Sequence, residues 1–330
     1  MAMADRWPRR PMIGTGLTVM GLCCLLAAWA DSYLVLIVAL TLYGPAAGVG
    51  TELSQAVLVD AKPQDAERIL ARWTLLGALG DIGTPALLAV VVAAGFSYRA
   101  AFVVSGVLVL MNAWAVWRAP EPERAKPLDG EERGTLWDAL KNRRLVLWEL
   151  ACVFCAFLDE LMVGFGALHL RMEPSDRAVV FITWMLGAIA GAALTERLLK
   201  TRSSKQVLIA ASLACMPALA LWLWADAVWL SALALGLVGM FSAPMYPLAK
   251  AQAYAAMPGS SGAINALGAL LVPVEMVFPV VVGVVANAFG VTTALTLLFL
   301  QPLALLALGA TVVKPEKIIT TGSPPQEEPS

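Results

Sequence analysis

Apolar runs of about 20 residues recur ten times along this chain, with almost nothing polar inside them. That pattern leaves few solutions. A helix rises 1.5 Å per residue, so about 20 apolar residues cross the hydrocarbon core of a bilayer. Inside lipid every backbone N–H and C=O must be paired within the protein, which a helix does by itself. The runs are placed at roughly 12–30, 33–58, 73–95, 100–117, 145–170, 178–198, 207–225, 228–256, 263–289 and 292–313. The expected fold is an all-α polytopic membrane protein with ten transmembrane helices. Composition agrees: 59% of residues are hydrophobic, 14% are charged, and the mean hydropathy is +0.75. A soluble domain of this length needs far more polar surface.

Several function classes fall away on the same grounds. A net charge of −1 gives no footprint for nucleic acid. No GxxxxGK[ST] loop occurs, so the chain carries no nucleotide-driven motor of its own. The five cysteines (Cys23, Cys24, Cys152, Cys155, Cys215) lie within apolar runs, and Cys152 and Cys155 sit a turn apart with His169 as the single histidine. Neither a redox site nor a metal site is expected, and no cofactor is.

The polar residues concentrate between the runs. From Arg118 to Arg144 there are seven Lys/Arg and six Asp/Glu in 27 residues. This stretch is expected to be a solvated linker whose second half, with Leu136, Trp137 and Leu140 at helical spacing, forms a helix on the membrane surface. The links between runs alternate between tiny and charge-rich. One side of the membrane collects 19 Lys/Arg and the other only three: Arg99, Arg171 and Arg177. Positively charged loops stay in the cytoplasm. Both termini and the linker are therefore expected there, in a plasma (inner) membrane. The division is an N-terminal bundle at 1–117, a linker at 118–144, a C-terminal bundle at 145–313 and a disordered tail at 314–330.

A shift of 195 residues aligns Trp29-Ala30-Asp31 with Trp224-Ala225-Asp226, Gly44 with Gly239, Leu53 with Leu248 and Pro63 with Pro258. Matches of Trp, Asp, Gly and Pro in one register are not cheap in this composition. Runs one to four thus repeat runs seven to ten in parallel orientation. Runs five and six (145–198) find no partners, because the shift carries them ahead of Met1. About 50 residues, two helices, are accordingly expected to be missing from the front.

With these features in place, the chain resembles the major facilitator superfamily over residues 1–313. Asp5-Arg6-Trp7-Pro8-Arg9-Arg10 is similar to the D-R-x-G-R-R loop between family helices 2 and 3, with Pro8 in place of the usual Gly. Phe96-Ser97-Tyr98-Arg99-Ala100-Ala101-Phe102 is similar to the aromatic-Arg-x-x-Phe start of helix 6, and the long linker falls between helices 6 and 7. The runs would be family helices 3 to 12 of a fold of two six-helix bundles. The resemblance implies that Asp5, Arg6, Arg9 and Arg10 form a cytoplasmic latch, with Asp60 as the acid that pairs with its arginines. It also implies that Gly77, Gly83 and Pro85 belong to a Gly/Pro pattern of helix 5 found in antiporters. Asp81 stands where that pattern has Gly, and Thr84 splits the Gly-Pro pair.

Charges within the runs are the other pointer. An ionised side chain at mid-bilayer costs roughly 2.5–3.5 kcal/mol on the lenient scale. Asp81, Asp159, Glu160 and Glu275 lie near run centres, Glu52 and Lys250 somewhat off centre, and Glu149 is expected at the interface. None falls on 12–30, 100–117, 207–225 or 292–313, which would be the lipid-facing helices of the family. Asp159 and Glu160 are neighbours about 100° apart on a helix, so at most one should point squarely into a cavity. They are candidates for proton coupling or transport; pairing of one of them with Lys250 is the structural alternative. Asp81 and Glu275, 194 residues apart, hold matched repeat positions suited to a shared gating role. For Glu52 a structural role is preferred. Pro244, Pro247, Pro273 and Pro279 should bend helices, and Gly187, Ala188 and Gly191 should pack closely. Trp7, Trp114, Trp117, Trp148, Trp222, Trp224 and Trp229 are read as interfacial anchors.

The function expected is secondary active transport of a small molecule by alternating access, with proton-coupled efflux as the favoured form. Uniport or uptake of a small organic solute is the alternative. A polytopic membrane enzyme, or a non-transporting remnant or sensor, is the alternative of another class. Partners are an unidentified small-molecule substrate, protons and the lipid bilayer, with no nucleic acid, in a monomer. Residues 1–330 alone are expected not to transport, since a missing helix would line the cavity.

Overall fold

The computed structural model describes residues 7–121 and 134–311. Ten helices in it are long and apolar enough to cross a membrane: α1 (Arg9–Ala28), α2 (Tyr33–Ala61), α3 (Pro63–Ala93), α4 (Tyr98–Arg118), α5 (Arg143–His169), α6 (Ser175–Leu198), α7 (Ser204–Trp224), α8 (Val228–Ala256), α9 (Ser261–Phe289) and α10 (Val291–Gly309). No strand occurs among the described residues. The ten expected runs are all present as helices. The third begins ten residues earlier than hydropathy places it, because Ala66–Arg72 is polar enough to hide from an apolar window yet continues the same helix.

Polar residues in the links start the helices. Ser32 accepts from the Val35 N–H at 3.3 Å, and Asn142 accepts from Leu145 at 3.1 Å. Ser203 and Gln206 cap each other's N–H groups at the start of α7. Among the described residues of the linker, Leu136–Lys141 forms a short helix opened by a Thr135–Asp138 capping box. The Thr135 hydroxyl and N–H hold the Asp138 carboxyl below the ordinary aspartate range. The expected linker helix before Gly134 and the tail at 314–330 lie outside the described residues, as do Asp5 and Arg6.

The repeat is written into the backbone. α-Helix begins at Arg9 and Ser204, at Tyr33 and Val228, and at Ala66 and Ser261, each pair 195 residues apart. Lys62 (φ −147°, ψ 74°) and Met257 (φ −150°, ψ 70°), also 195 apart, end the preceding helices in the same conformation, each followed by a proline. Gly95 and Gly290, the next such pair, both take positive φ (81° and 89°) in the turns after α3 and α9, a conformation that glycine adopts without steric cost. Even the irregularities correspond. α2 widens into a π turn at Gly48–Glu52 after Pro45, and α8 breaks at Ala243–Pro244, in the same register.

Packing groups the helices. α1 lies against α2 and α4, α6 against α8, and α7 against α8 and α10, while α3 crosses to α6 and α8. The closest approach is α6 to α8. A Cβ on Gly187 would strike the Gly236 carbonyl, and one on Gly191 the Met240 carbonyl. The Thr183 hydroxyl donates across the same seam to Ala232 O at 2.9 Å. The core lies among α5, α7 and α8, around Trp148, Leu158, Leu219 and Trp222. Two of the expected interfacial tryptophans are therefore core residues: Trp148 and Trp222 are fully buried, and the Trp222 ring packs edge-on to His169. Position near a helix end does not say which face the ring is on. Trp7, Trp114, Trp117, Trp224 and Trp229 are exposed. The five cysteines are free thiols and buried.

Candidate functional site

A cavity of about 700 Å3 opens between α3, α5, α6, α8 and α10. α3 supplies Gly77, Asp81, Thr84 and Pro85, at positions i, i+4, i+7 and i+8 along one face. α5 supplies Cys155, Asp159 and Glu160, α6 supplies Trp184 and Met185, α8 supplies Tyr246 and α10 supplies Gln301. The size suits a drug-sized molecule. Gly83, although in the same Gly/Pro pattern as Gly77 and Pro85, is not among the lining residues.

The carboxyl groups converge here. Asp159 and Glu160 both line the cavity. Both residues are exposed. They sit immediately before the π turn at Met162–Gly166, and such turns are frequent at functional sites. Asp81 lines the same cavity from α3, and Glu275 of α9 lies near enough to Glu160 to act on it electrostatically. Four acids from three helices thus form one neighbourhood. Two polar groups there have no protein partner: the Gln301 Oε1 atom and the Trp184 indole N–H, on side chains 1% and 7% exposed. Sequence reasoning passed over Gln301, and the one available signal was an amide inside an otherwise apolar run.

Lys250 is elsewhere. It is 4% exposed and gives two hydrogen bonds to Glu149, at 2.9 and 3.2 Å. Pairing with Asp159 or Glu160 is thereby excluded in this conformation, and Glu149, 1% exposed, is not interfacial. A lysine forced into a dry bundle needs the nearest acid on the opposing face, and that acid is one helix pair away rather than ten residues further along α5. Glu52 lies in the α2 π turn, close enough to Glu149 to act on it electrostatically, and its backbone carbonyl accepts from Asn265 of α9 at 3.1 Å.

The end of the bundle that carries the linker is tied shut. Arg9, 1% exposed, donates to Asp60 at 2.5 Å and to Ser261 at 2.8 Å, and Ser261 donates to Asp60 at 2.7 Å. These three residues come from α1, α2 and α9. Arg72 of α3 pairs with Glu196 of α6 at 2.7 Å. Arg10 instead donates to Ala119 O at 3.1 Å. At the opposite end, Arg99 pairs with Asp31 at 3.0 Å and His169 meets Thr292 at 3.1 Å; these join α4 to the α1–α2 turn and α5 to α10. Among the described residues no hydrogen bond or ion pair joins α1–α4 to α5–α10 at that end. Ser261 and Asn265 were missed from sequence, since a lone Ser or Asn at a helix start is ordinarily a cap.

Comparison with known proteins places this arrangement. A sequence model described as the Major Facilitator Superfamily matches residues 1–274. No curated protein matches the chain. Among solved structures, a variant of the E. coli fucose:proton symporter FucP superposes with a TM-score of 0.74 at 17% identity, covering 94% of this chain and 85% of that one. A structure of FucP, titled as a transporter in the outward conformation, gives 0.71 at 17%, over 93% and 84%. The human organic anion transporter MFSD10 (TETRAN) gives 0.69 at 18%, over 92% and 78%. At these identities the likeness is one of fold. The match over residues 1–274, with ten membrane-crossing helices, shows that this chain belongs to the Major Facilitator Superfamily, a family of membrane transporters rather than enzymes.

Proposed function

We propose that the protein moves a small molecule by alternating access and that the acids of the cavity couple this movement to protons. The observation that supports the reading is the meeting of Asp81 from α3 with Asp159 and Glu160 from α5 in one cavity. Carboxyl groups crowded in a low-dielectric site cannot all remain ionised, so they exchange protons as the site opens and closes. In this reading 1–117 and 145–313 are two bundles that rock about the cavity, with 118–144 as their tether. The linker and both termini are cytoplasmic in a plasma membrane, on the 19-to-3 distribution of basic residues. The closed end is then the inner one, and Arg9, Asp60 and Ser261 are the latch that holds the outward-facing state. Asp81 and Glu275 flank the coupling pair as gate residues. Lys250 and Glu149 serve structure. Export is the preferred direction, on the Gly77/Pro85 pattern of α3, and a monomer is the working unit.

The test is solute-induced proton movement in everted vesicles, followed with a pH-sensitive dye across a panel of small organic solutes. The full natural protein should give a proton response to at least one class of solute. Asp159→Asn with Glu160→Gln should abolish it at equal protein level. An undiminished response in that double variant would remove these acids from the coupling.

A further inference from the structure

The cavity also carries information about what it holds. Its ionisable lining is acidic: Asp81, Asp159 and Glu160, and among the described residues no lysine or arginine lines it. The nearest lysine on α8, Lys250, is held by both oxygens of Glu149 and is not available as a counter-ion. Ionising these acids together is costly without a guest of opposite charge, and such a guest favours their charged form.

A second observation is independent of those acids. The Gln301 side chain is 1% exposed, lines the cavity, and leaves its Oε1 acceptor without a partner. Trp184, 7% exposed and also among the lining residues, leaves its indole N–H unmet. Buried polar groups are ordinarily paired, and an unpaired one costs roughly 1–3 kcal/mol. Both atoms are sealed behind the cavity wall, and a turn of either side chain presents a polar group to a ligand bearing an N–H and an oxygen or nitrogen acceptor. Trp73, Trp184 and Tyr246 supply aromatic surface, the preferred neighbour of an organic cation.

We infer that the cavity takes an organic cation: a protonated or permanently charged amine with an aromatic or apolar body, its charge on Asp159 and Glu160 and its N–H groups toward Gln301. The inference rests on the cavity being the transport site. It does not need proton coupling. An organic anion would face three carboxyl groups with no base among the lining residues to receive it.

Equilibrium dialysis on the purified, detergent-solubilised protein tests this with ethidium, which is cationic, and dihydroethidium, its uncharged reduced form. Ethidium should bind one per protein and dihydroethidium at least about tenfold more weakly, the scale of a charge pair in a partly dry site. Asp159→Asn with Glu160→Gln should erase the difference. Gln301→Glu, which adds a carboxylate, should widen it, and that variant decides the question if the double variant elutes as aggregate. Equal binding of the two compounds, no ethidium binding up to millimolar concentration, or selectivity that survives the double substitution would each overturn the inference. Ethidium selectivity without any solute-induced proton response would uphold it while sinking the coupling.

Discussion

Glu149 and Lys250 hold each other inside an apolar bundle, and neither has water to fall back on. Such a pair contributes little net stability, because its attraction mainly repays the cost of drying two charges. Removing one partner is different, since it strands the other. Lys250→Met should lower stability by about 3–5 kcal/mol, read as a fall in the unfolding temperature in detergent, whereas Lys250→Met with Glu149→Leu should recover most of the loss. Equal damage in single and double variants would show that the two residues do not act as a pair. The charged residues themselves were legible in the sequence, because Asp81, Asp159, Glu160 and Lys250 stand out against their apolar runs. Their partners were not. Which acid Lys250 meets depends on how α5 and α8 are rotated against each other, and adjacent acids such as Asp159 and Glu160 can share a cavity once the wall is long enough.

At the scale of helices, small residues do opposite work in different places. On α6, Gly187 and Gly191 bring the backbone of α8 so near that a side chain there would press on carbonyl groups, which cannot swing aside. On α3, a Cβ at Gly77 would meet nothing within 4 Å. Gly191→Leu should therefore cost about 1–3 kcal/mol or more through overpacking. Gly77→Ala should be neutral or stabilising by up to about 1 kcal/mol through helix propensity. Thermal unfolding of the two variants side by side checks this, and a larger loss at Gly77 would contradict the packing described. The α6 contact was readable from Gly-xxx-Gly spacing alone. So was the repeat, from Trp29 and Trp224 through Pro63 and Pro258, and the helix starts at Arg9/Ser204 and Tyr33/Val228 follow it residue for residue. The early start of α3 was hidden, because hydropathy sees the lipid-facing part of a helix and not its polar extension.

For the molecule as a whole, the asymmetry between its two ends matters most. One end is crossed by Arg9–Asp60–Ser261, Asn265–Glu52 and Arg72–Glu196, and among the described residues the other has no such crossing. These contacts are unequal. The Arg72–Glu196 pair is exposed (59% and 20%) and worth about 0–1 kcal/mol. The Arg9–Asp60 pair is buried (1% and 7%), so losing either partner should cost several times more. With a reporter cysteine at Asn265→Cys, Asp60→Ala should speed maleimide labelling from the linker side severalfold, whereas Arg72→Ala should leave the rate nearly unchanged. Matching rates in the two variants would mean that burial does not rank the contacts.

Burial of the Arg9–Asp60–Ser261 cluster has a consequence for the medium around the protein. At physiological ionic strength, fields between exposed charges fade within about 8 Å, and dissolved ions loosen any clasp they can surround. Arg9 is out of their reach. Changes in salt will therefore weaken Arg72–Glu196 and leave the central tie untouched. The central tie is therefore insulated from ionic swings in the surrounding medium, and only a change in the helices themselves releases it.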